Sequence, residues 1–289
     1  MRRTGHGELP GHGELPGHGR GVAVVTGASS GIGAATVLRL AAEGWTVVAA
    51  ARRTDLIEEL VERSRSAGSP GRIVPAAVDV RDTASVDALA ARVQDELGAC
   101  HLLVCNAGIG GGALRGRDDL AAALDVIDVN LGGTLRCCAA FADLLAASSP
   151  SQVINVASVA GKLGLGPAAY VASKFGMVGL SEALGAAWRS RGVTVTQLNP
   201  GFVHTEGFPQ TWASGTPVAR LVVGPDVVAR AVSRAARRRL EEVTTPRWYR
   251  GFVVLRHVAT PVWRGIGRLA DGPRQRSEAL RMQRSEQRP

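Results

Sequence analysis

The chain has 289 residues, 45% hydrophobic and 20% charged, which is enough for one large globular domain with a sizeable core and some tails. No apolar run approaches bilayer-spanning length, and Arg2 and Arg3 have no apolar segment behind them, so neither a membrane span nor a secretory or twin-arginine leader is expected and the expected compartment is the cytoplasm. The net charge of +9 is not a property of the whole chain: residues 230–289 carry 15 arginines against 5 acidic residues, net +10, leaving −1 for the rest, so a nucleic-acid partner is not expected.

Residues 1–20 repeat the unit GHGELP twice and begin it again. Gly and Pro at that density predict a flexible tail. His6, His12 and His18 recur within it, but no metal site is expected. From Gly21 onward, short runs rich in Val and Ile at 22–26, 46–50, 72–78, 101–105, 153–157, 193–198 and 242–245 alternate with helical periodicity at 33–43, 55–67, 83–97, 119–147, 170–190 and 226–240. Strands alternating with helices imply a single-domain, Rossmann-type α/β fold, a doubly wound parallel sheet covered by helices over residues 21–245. Gly44 and Gly98 stand where left-handed helix caps are expected, and Asp55 and Asp226 where N-caps are expected. The four cysteines make no CxxC pair and have no histidine at zinc-ligand spacing, so packed, reduced thiols are expected.

Three places carry chemistry. The first strand runs into Thr26-Gly27-Ala28-Ser29-Ser30-Gly31-Ile32-Gly33 and then a helix. Such a loop lets backbone N–H groups approach a pyrophosphate at a helix N-terminus. After the second strand, where an NAD site usually carries a carboxylate for the ribose hydroxyl, the chain reads Ala50-Ala51-Arg52-Arg53. A guanidinium holds a 2′-phosphate that a carboxylate would repel, so NADP(H) is the preferred cofactor, with NAD(H) possible. Third, the chain has two tyrosines and two lysines, and one of each, Tyr170 and Lys174, stands four residues apart at a helix start, on one face.

With these motifs the chain resembles the short-chain dehydrogenase/reductase family over most of residues 21–245. Thr26-Gly27-x3-Gly31-x-Gly33 is similar to the family's cofactor loop, and Asp79-Val80 falls where the family contacts adenine. Asn106-Ala107-Gly108 resembles the motif closing the fourth strand, and Pro200-Gly201-Phe202-Val203-x-Thr205 the one that meets the nicotinamide amide. The resemblance implies Tyr170 as general acid/base, with its pKa lowered by Lys174 and the nicotinamide. It implies Lys174 as the residue holding the ribose, Ser158 as hydrogen-bond partner of the reacting oxygen, and Asn130 as holder of a relay water. Departures are Cys105 in place of a second asparagine, a Ser158-to-Tyr170 spacing one residue short of many relatives, and Ser29 where some NADP-dependent members carry a base.

The expected reaction interconverts a carbonyl and a secondary alcohol. A lid over 206–221, with Phe208, Trp212, Val218 and Leu221, predicts an apolar substrate. The alternatives are an NAD-dependent alcohol dehydrogenase and a non-catalytic dinucleotide-binding regulator. A homodimer or homotetramer through helices 119–147 and 170–190 is expected, the latter bearing the small residues Ala172, Gly176, Gly179, Ala183 and Ala186. The basic, aromatic extension 246–289, which Pro261 should break, suggests peripheral contact with an anionic membrane, or packing over the cleft or a neighbouring subunit.

Overall fold

A computed structural model describes Leu15 and residues 21–206 and 221–261. Seven parallel strands form one sheet: β1 (Val22–Thr26), β2 (Thr46–Ala51), β3 (Arg72–Ala77), β4 (Leu102–Cys105), β5 (Ser151–Val156), β6 (Val193–Pro200) and β7 (Glu242–Thr245). Their order is β3-β2-β1-β4-β5-β6-β7. The direction of winding reverses between β1 and β4, and in such sheets the crevice at the carboxyl ends of those two strands is where ligands bind.

Alternation along the strands divides the core in two. Ala23, Val25, Val47, Ala49, Val104 and Ile154 face one side. There they pack on Val37 and Leu40 of α1 (Gly31–Ala42), Ile57 and Leu60 of α2 (Asp55–Ser66), and Val228 and Val232 of α8 (Pro225–Arg238). Val24, Val48, Leu103 and Val153 face the other. Their partners are Val86 and Leu89 of α3 (Thr83–Leu97), Phe141 and Leu145 of α5 (Gly133–Ala147), and Leu184 of α7 (Ala168–Trp188). Both faces of the sheet are thus buried, which is why its strands read as continuous apolar runs.

Helix ends follow the sequence in part. Gly44 and Gly98 both take left-handed backbone. Asp55, however, is the first residue of α2, behind the N-cap Thr54, and Asp226 lies in the first turn of α8, whose N-cap is Gly224 with Pro225 next. Both carboxylates favour the helix dipole from inside the first turn and cap nothing. The expected helix 119–147 is three pieces: α4 (Leu120–Ile127), a π-turn (Asp128–Gly132) and α5. A further short helix, α6 (Ala160–Leu163), stands between β5 and α7.

By contact density the chain divides into Met1–Pro246 and Arg247–Pro289. The second unit contains α9 (Tyr249–Val258), which ends before Pro261. Among the described residues no helix is long and apolar enough to cross a membrane. The histidine repeat, most of the expected lid and residues 262–289 lie outside the described residues.

Candidate active site

The loop after β1 is built around two glycines. Gly27 has φ +64°, and a Cβ there would lie 2.7 Å from the Ala107 backbone. At Gly33 a Cβ would come within 2.1 Å of the Gly27 carbonyl oxygen. Any side chain at either place would push the loop off its helix. Asn106, at the end of β4, fastens the loop from the other side: its Nδ2 donates to the carbonyls of Thr26 at 2.9 Å and Gly27 at 3.2 Å. The Thr26 hydroxyl accepts the N–H groups of Asn106 and Ala107 at 3.1 and 3.2 Å. Thr26 was not singled out as a site residue from the sequence, yet it closes the switch point between the two strands.

Ser30 is the N-cap of α1 and makes no capping hydrogen bond. The first-turn N–H groups therefore point out of the helix without a side-chain cap, where an anion is favoured. Ile32 packs back on the core. Thr205 approaches from above, so that a Cβ on Gly31 would stand 3.0 Å from the threonine Cβ. The segment holding Thr205 leaves β6 at Pro200, whose carbonyl accepts Val159 N–H at 2.9 Å, while Gly201 N–H donates to Thr245 at 2.8 Å. Val203 is buried and bridges to Val223.

Arg53 closes the outer edge of the loop. Its Nη2 donates to the hydroxyls of Ser29 and Ser30, both at 3.3 Å, and Nη1 lies 3.7 Å from Glu206. Arg52 is exposed. Across the crevice Asp79 accepts from Arg81 through Nη2 at 2.9 Å and Nε at 3.2 Å. Hydrogen bonding from that guanidinium is the main reason its carboxyl is held down at about 2, with Arg52 a minor contributor. Val80 packs against Gly133, where a Cβ would meet it at 2.7 Å.

Past the carboxyl end of β5 stands Ser158, and Tyr170 and Lys174 lie one turn apart on α7. Ser158 hydrogen-bonds the phenol of Tyr170 and accepts Ala160 N–H at 3.1 Å. The Lys174 ammonium lies 5.7 Å from the centroid of the Tyr170 ring. It donates to the Val156 carbonyl at 2.9 Å and touches Met177 Sδ at 3.4 Å.

Burial has opposite consequences for the two groups. It raises the Tyr170 phenol above its ordinary value, with the Ser158 hydrogen bond pulling the other way. It lowers Lys174 to about 8. The expectation that Lys174 depresses the tyrosine therefore does not hold for the chain alone. The ammonium is directed at a carbonyl, and desolvation penalises a buried charge on either group.

Asn130 sits at the centre of the π-turn and is fully buried. Its side chain accepts Ile109 N–H at 2.8 Å and donates to the Ile109 carbonyl at 3.0 Å and to Ser173 Oγ at 3.1 Å. Ser173 in turn donates to the Tyr170 carbonyl at 2.7 Å. A Cβ on Gly108 would meet Asn130 Oδ1 at 3.1 Å. Asn130 thus ties the loop after β4 to the first turn of the tyrosine helix, and its own carbonyl accepts the Thr134 hydroxyl at 2.7 Å. Ser173 had no sequence signal beyond its place next to Lys174.

The four cysteines are free and buried. Burial pushes the Cys100 thiol up to about 12, so it is inert as a nucleophile at neutral pH.

The sequence pattern described as "short chain dehydrogenase" matches residues 21–214. A 3-oxoacyl-[acyl-carrier-protein] reductase of a Synechocystis species is 37% identical over 186 residues, 64% of this chain and 75% of its own length. Among solved structures, a short chain dehydrogenase/reductase from Burkholderia phymatum in complex with NAD superposes with a TM-score of 0.72 at 29% identity, covering 86% of this chain and 96% of its own. A metagenomic short-chain oxidoreductase in complex with NADP does so with a TM-score of 0.65 at 32% identity, covering 78% and 95%.

Proposed function

The chain belongs to the short-chain dehydrogenase/reductase family, and from that premise we propose that it is an NADP(H)-dependent oxidoreductase interconverting a carbonyl and a secondary alcohol on a largely apolar small molecule. The observation that carries this reading is the convergence of Ser158, the Tyr170 phenol and the Lys174 ammonium at the carboxyl end of the sheet. These are the parts that proton exchange with a reacting oxygen requires.

The residues present fit a dinucleotide. The glycine loop brings backbone to the α1 N-terminus with no side-chain cap in the way, and Thr205 closes over it. The 2′-phosphate falls to Arg52 and Arg53. Arg53 already bridges Ser29 and Ser30, so its fork and two hydroxyls form one donor set for a dianion. Asp79, Val80, Asn106, Ala107 and Gly108 would flank the adenine and ribose, and Pro200, Gly201, Val203 and Thr205 the amide. NADP(H), when bound, supplies or accepts the hydride.

The chain's own residues handle the proton and the charge. In the reducing direction Tyr170, a phenol protonated at neutral pH and held more firmly so by burial, donates to the carbonyl oxygen. The Ser158 hydroxyl stabilises the charge growing there. In the oxidising direction the phenol must first lose its proton, which the Ser158 hydrogen bond favours and burial opposes. Asn130 positions rather than reacts: it fixes Ile109 to the turn bearing Tyr170.

An apolar substrate is supported by exposed Ile109 and Leu165, which lie in the two loops carrying the site. Assembly as a dimer or tetramer belongs to the same proposal. Leu120, Leu124 and Leu135 are exposed along α4 and α5, and Ala172, Gly179, Ala183 and Ala186 leave an exposed small-residue face on α7. Gly176 serves its own chain, since a Cβ there would meet Leu131 at 2.7 Å.

The test is a panel of apolar ketones with NADPH. Tyr170→Phe is expected to lower turnover by at least about a hundredfold while leaving NADPH binding intact; turnover within tenfold of wild type would sink the assignment.

A further inference from the structure

The second compact unit of the chain is Arg247–Pro289. Its described part begins with three aromatic side chains. Trp248 stacks on Tyr249 with ring centroids 3.7 Å apart, and Phe252, one turn on, meets Trp248 edge-on at 6.0 Å. Tyr249 is buried, but Trp248 and Phe252 are 41% and 42% exposed, Val254 60% and Val258 81%. Exposed apolar side chains this concentrated on ten residues of helix have no use in water.

The charge around them has one sign. Arg247 and Arg250 are exposed beside the aromatic pair. Over 247–289 the sequence carries ten arginines against three acidic residues.

We propose that α9 and the residues leading into it dock on an anionic lipid surface, with Trp248 and Phe252 entering the interface and Arg247 and Arg250 meeting the headgroups. Indole and phenyl rings favour the boundary between headgroup and acyl chain. A short amphipathic helix lies in that plane and binds through buried apolar area together with attraction to anionic lipid. Each basic residue near the surface strengthens binding about fivefold. A nucleic acid would satisfy the arginines but leave Val254 and Val258 in water. A second copy of the chain would cover the apolar side chains but bring like charges together.

The experiment is co-sedimentation of the full chain with vesicles of phosphatidylcholine alone, or with about one third phosphatidylglycerol. Pelleting is expected only with the anionic vesicles, weakening as salt rises from about 0.05 to 0.3 M. Trp248→Ala with Phe252→Ala is expected to weaken it at least about tenfold, and Arg247→Glu with Arg250→Glu more than about twentyfold. Brominated phosphatidylglycerol should quench wild-type tryptophan fluorescence more than that of Trp248→Phe, a readout on well-tolerated proteins that does not depend on how the double variants fold. Absence of pelleting, equal pelleting with neutral vesicles, undiminished binding by both double variants or equal quenching of Trp248→Phe would each overturn the proposal. So would retention of a DNA duplex without vesicle binding, or self-association in its place.

Discussion

Two side chains of the site, one turn apart, Lys174 buried and Tyr170 partly so, are displaced in opposite directions by the same desolvation, and each displacement has a sign that can be measured. Tyr170 is raised by burial more than the Ser158 hydrogen bond lowers it. Alcohol oxidation, which needs the phenolate, should therefore gain in kcat/KM as pH rises from about 7 to 9, while carbonyl reduction stays flat or falls. Parallel profiles in the two directions would contradict this. Lys174, lowered to about 8 from the ordinary 10.5 by burial, takes up a proton less readily folded than unfolded. Below pH 8 its charge is a full penalty on the folded state, and the penalty fades as pH rises to 10.5. Lys174→Met should raise the thermal midpoint at pH 7, and that advantage should shrink across the same window. Arg53 is a third residue with two claims on it: its Glu206 contact, at 3.7 Å between exposed groups, is weak enough in water to yield to a phosphate.

The site is held together by contacts between elements that share no sequence motif. The short α6 lies so close to α7 that a Cβ on Gly161 would stand 2.5 Å from the Lys174 carbonyl oxygen. Gly161→Ala should cost about 1–3 kcal/mol and lower turnover more than it weakens NADPH binding, because it displaces Lys174 and leaves the glycine loop alone. Unchanged turnover would show that α6 does not position the lysine. This layer was the least legible in the sequence. Strands and long helices could be placed because apolar runs and 3.6-residue periodicity are local properties. The glycine loop, Tyr170 and Lys174 stood out because their spacing is short. What escaped depends on neighbours distant in the chain: Thr26 and Ser173 act on segments 80 and 43 residues away. The π-turn at Asn130 differs from an α-turn by a single residue, too little to stand out in the apolar pattern of so short a stretch. Asp55 and Asp226 were misplaced by one position or two, because a carboxylate is equally at home at an N-cap and in a first turn.

Over the whole molecule, charge and apolar exposure are unevenly distributed. Residues 1–229 sum to −1, so the body of the enzyme has no electrostatic call on a polyanion, and the excess of arginine belongs to the final sixty residues. Among the described residues, a further exposed apolar stripe is formed by Leu120, Leu124 and Leu135. Light scattering should return a dimer or tetramer, and Leu120→Asp with Leu124→Asp should shift it toward monomer. A wild-type monomer would refute the assembly.

The central claim, an NADP(H)-dependent enzyme of this family, is tested most directly by titrating the purified chain with NADPH and with NADH at constant salt, followed by fluorescence. NADPH should bind tighter by at least about tenfold, as charge-assisted hydrogen bonds from Arg52 and Arg53 require, and Arg53→Ala should close most of the gap. Equal or tighter binding of NADH would make the two arginines surface charge and contradict the cofactor assignment. Binding of neither would contradict the enzyme.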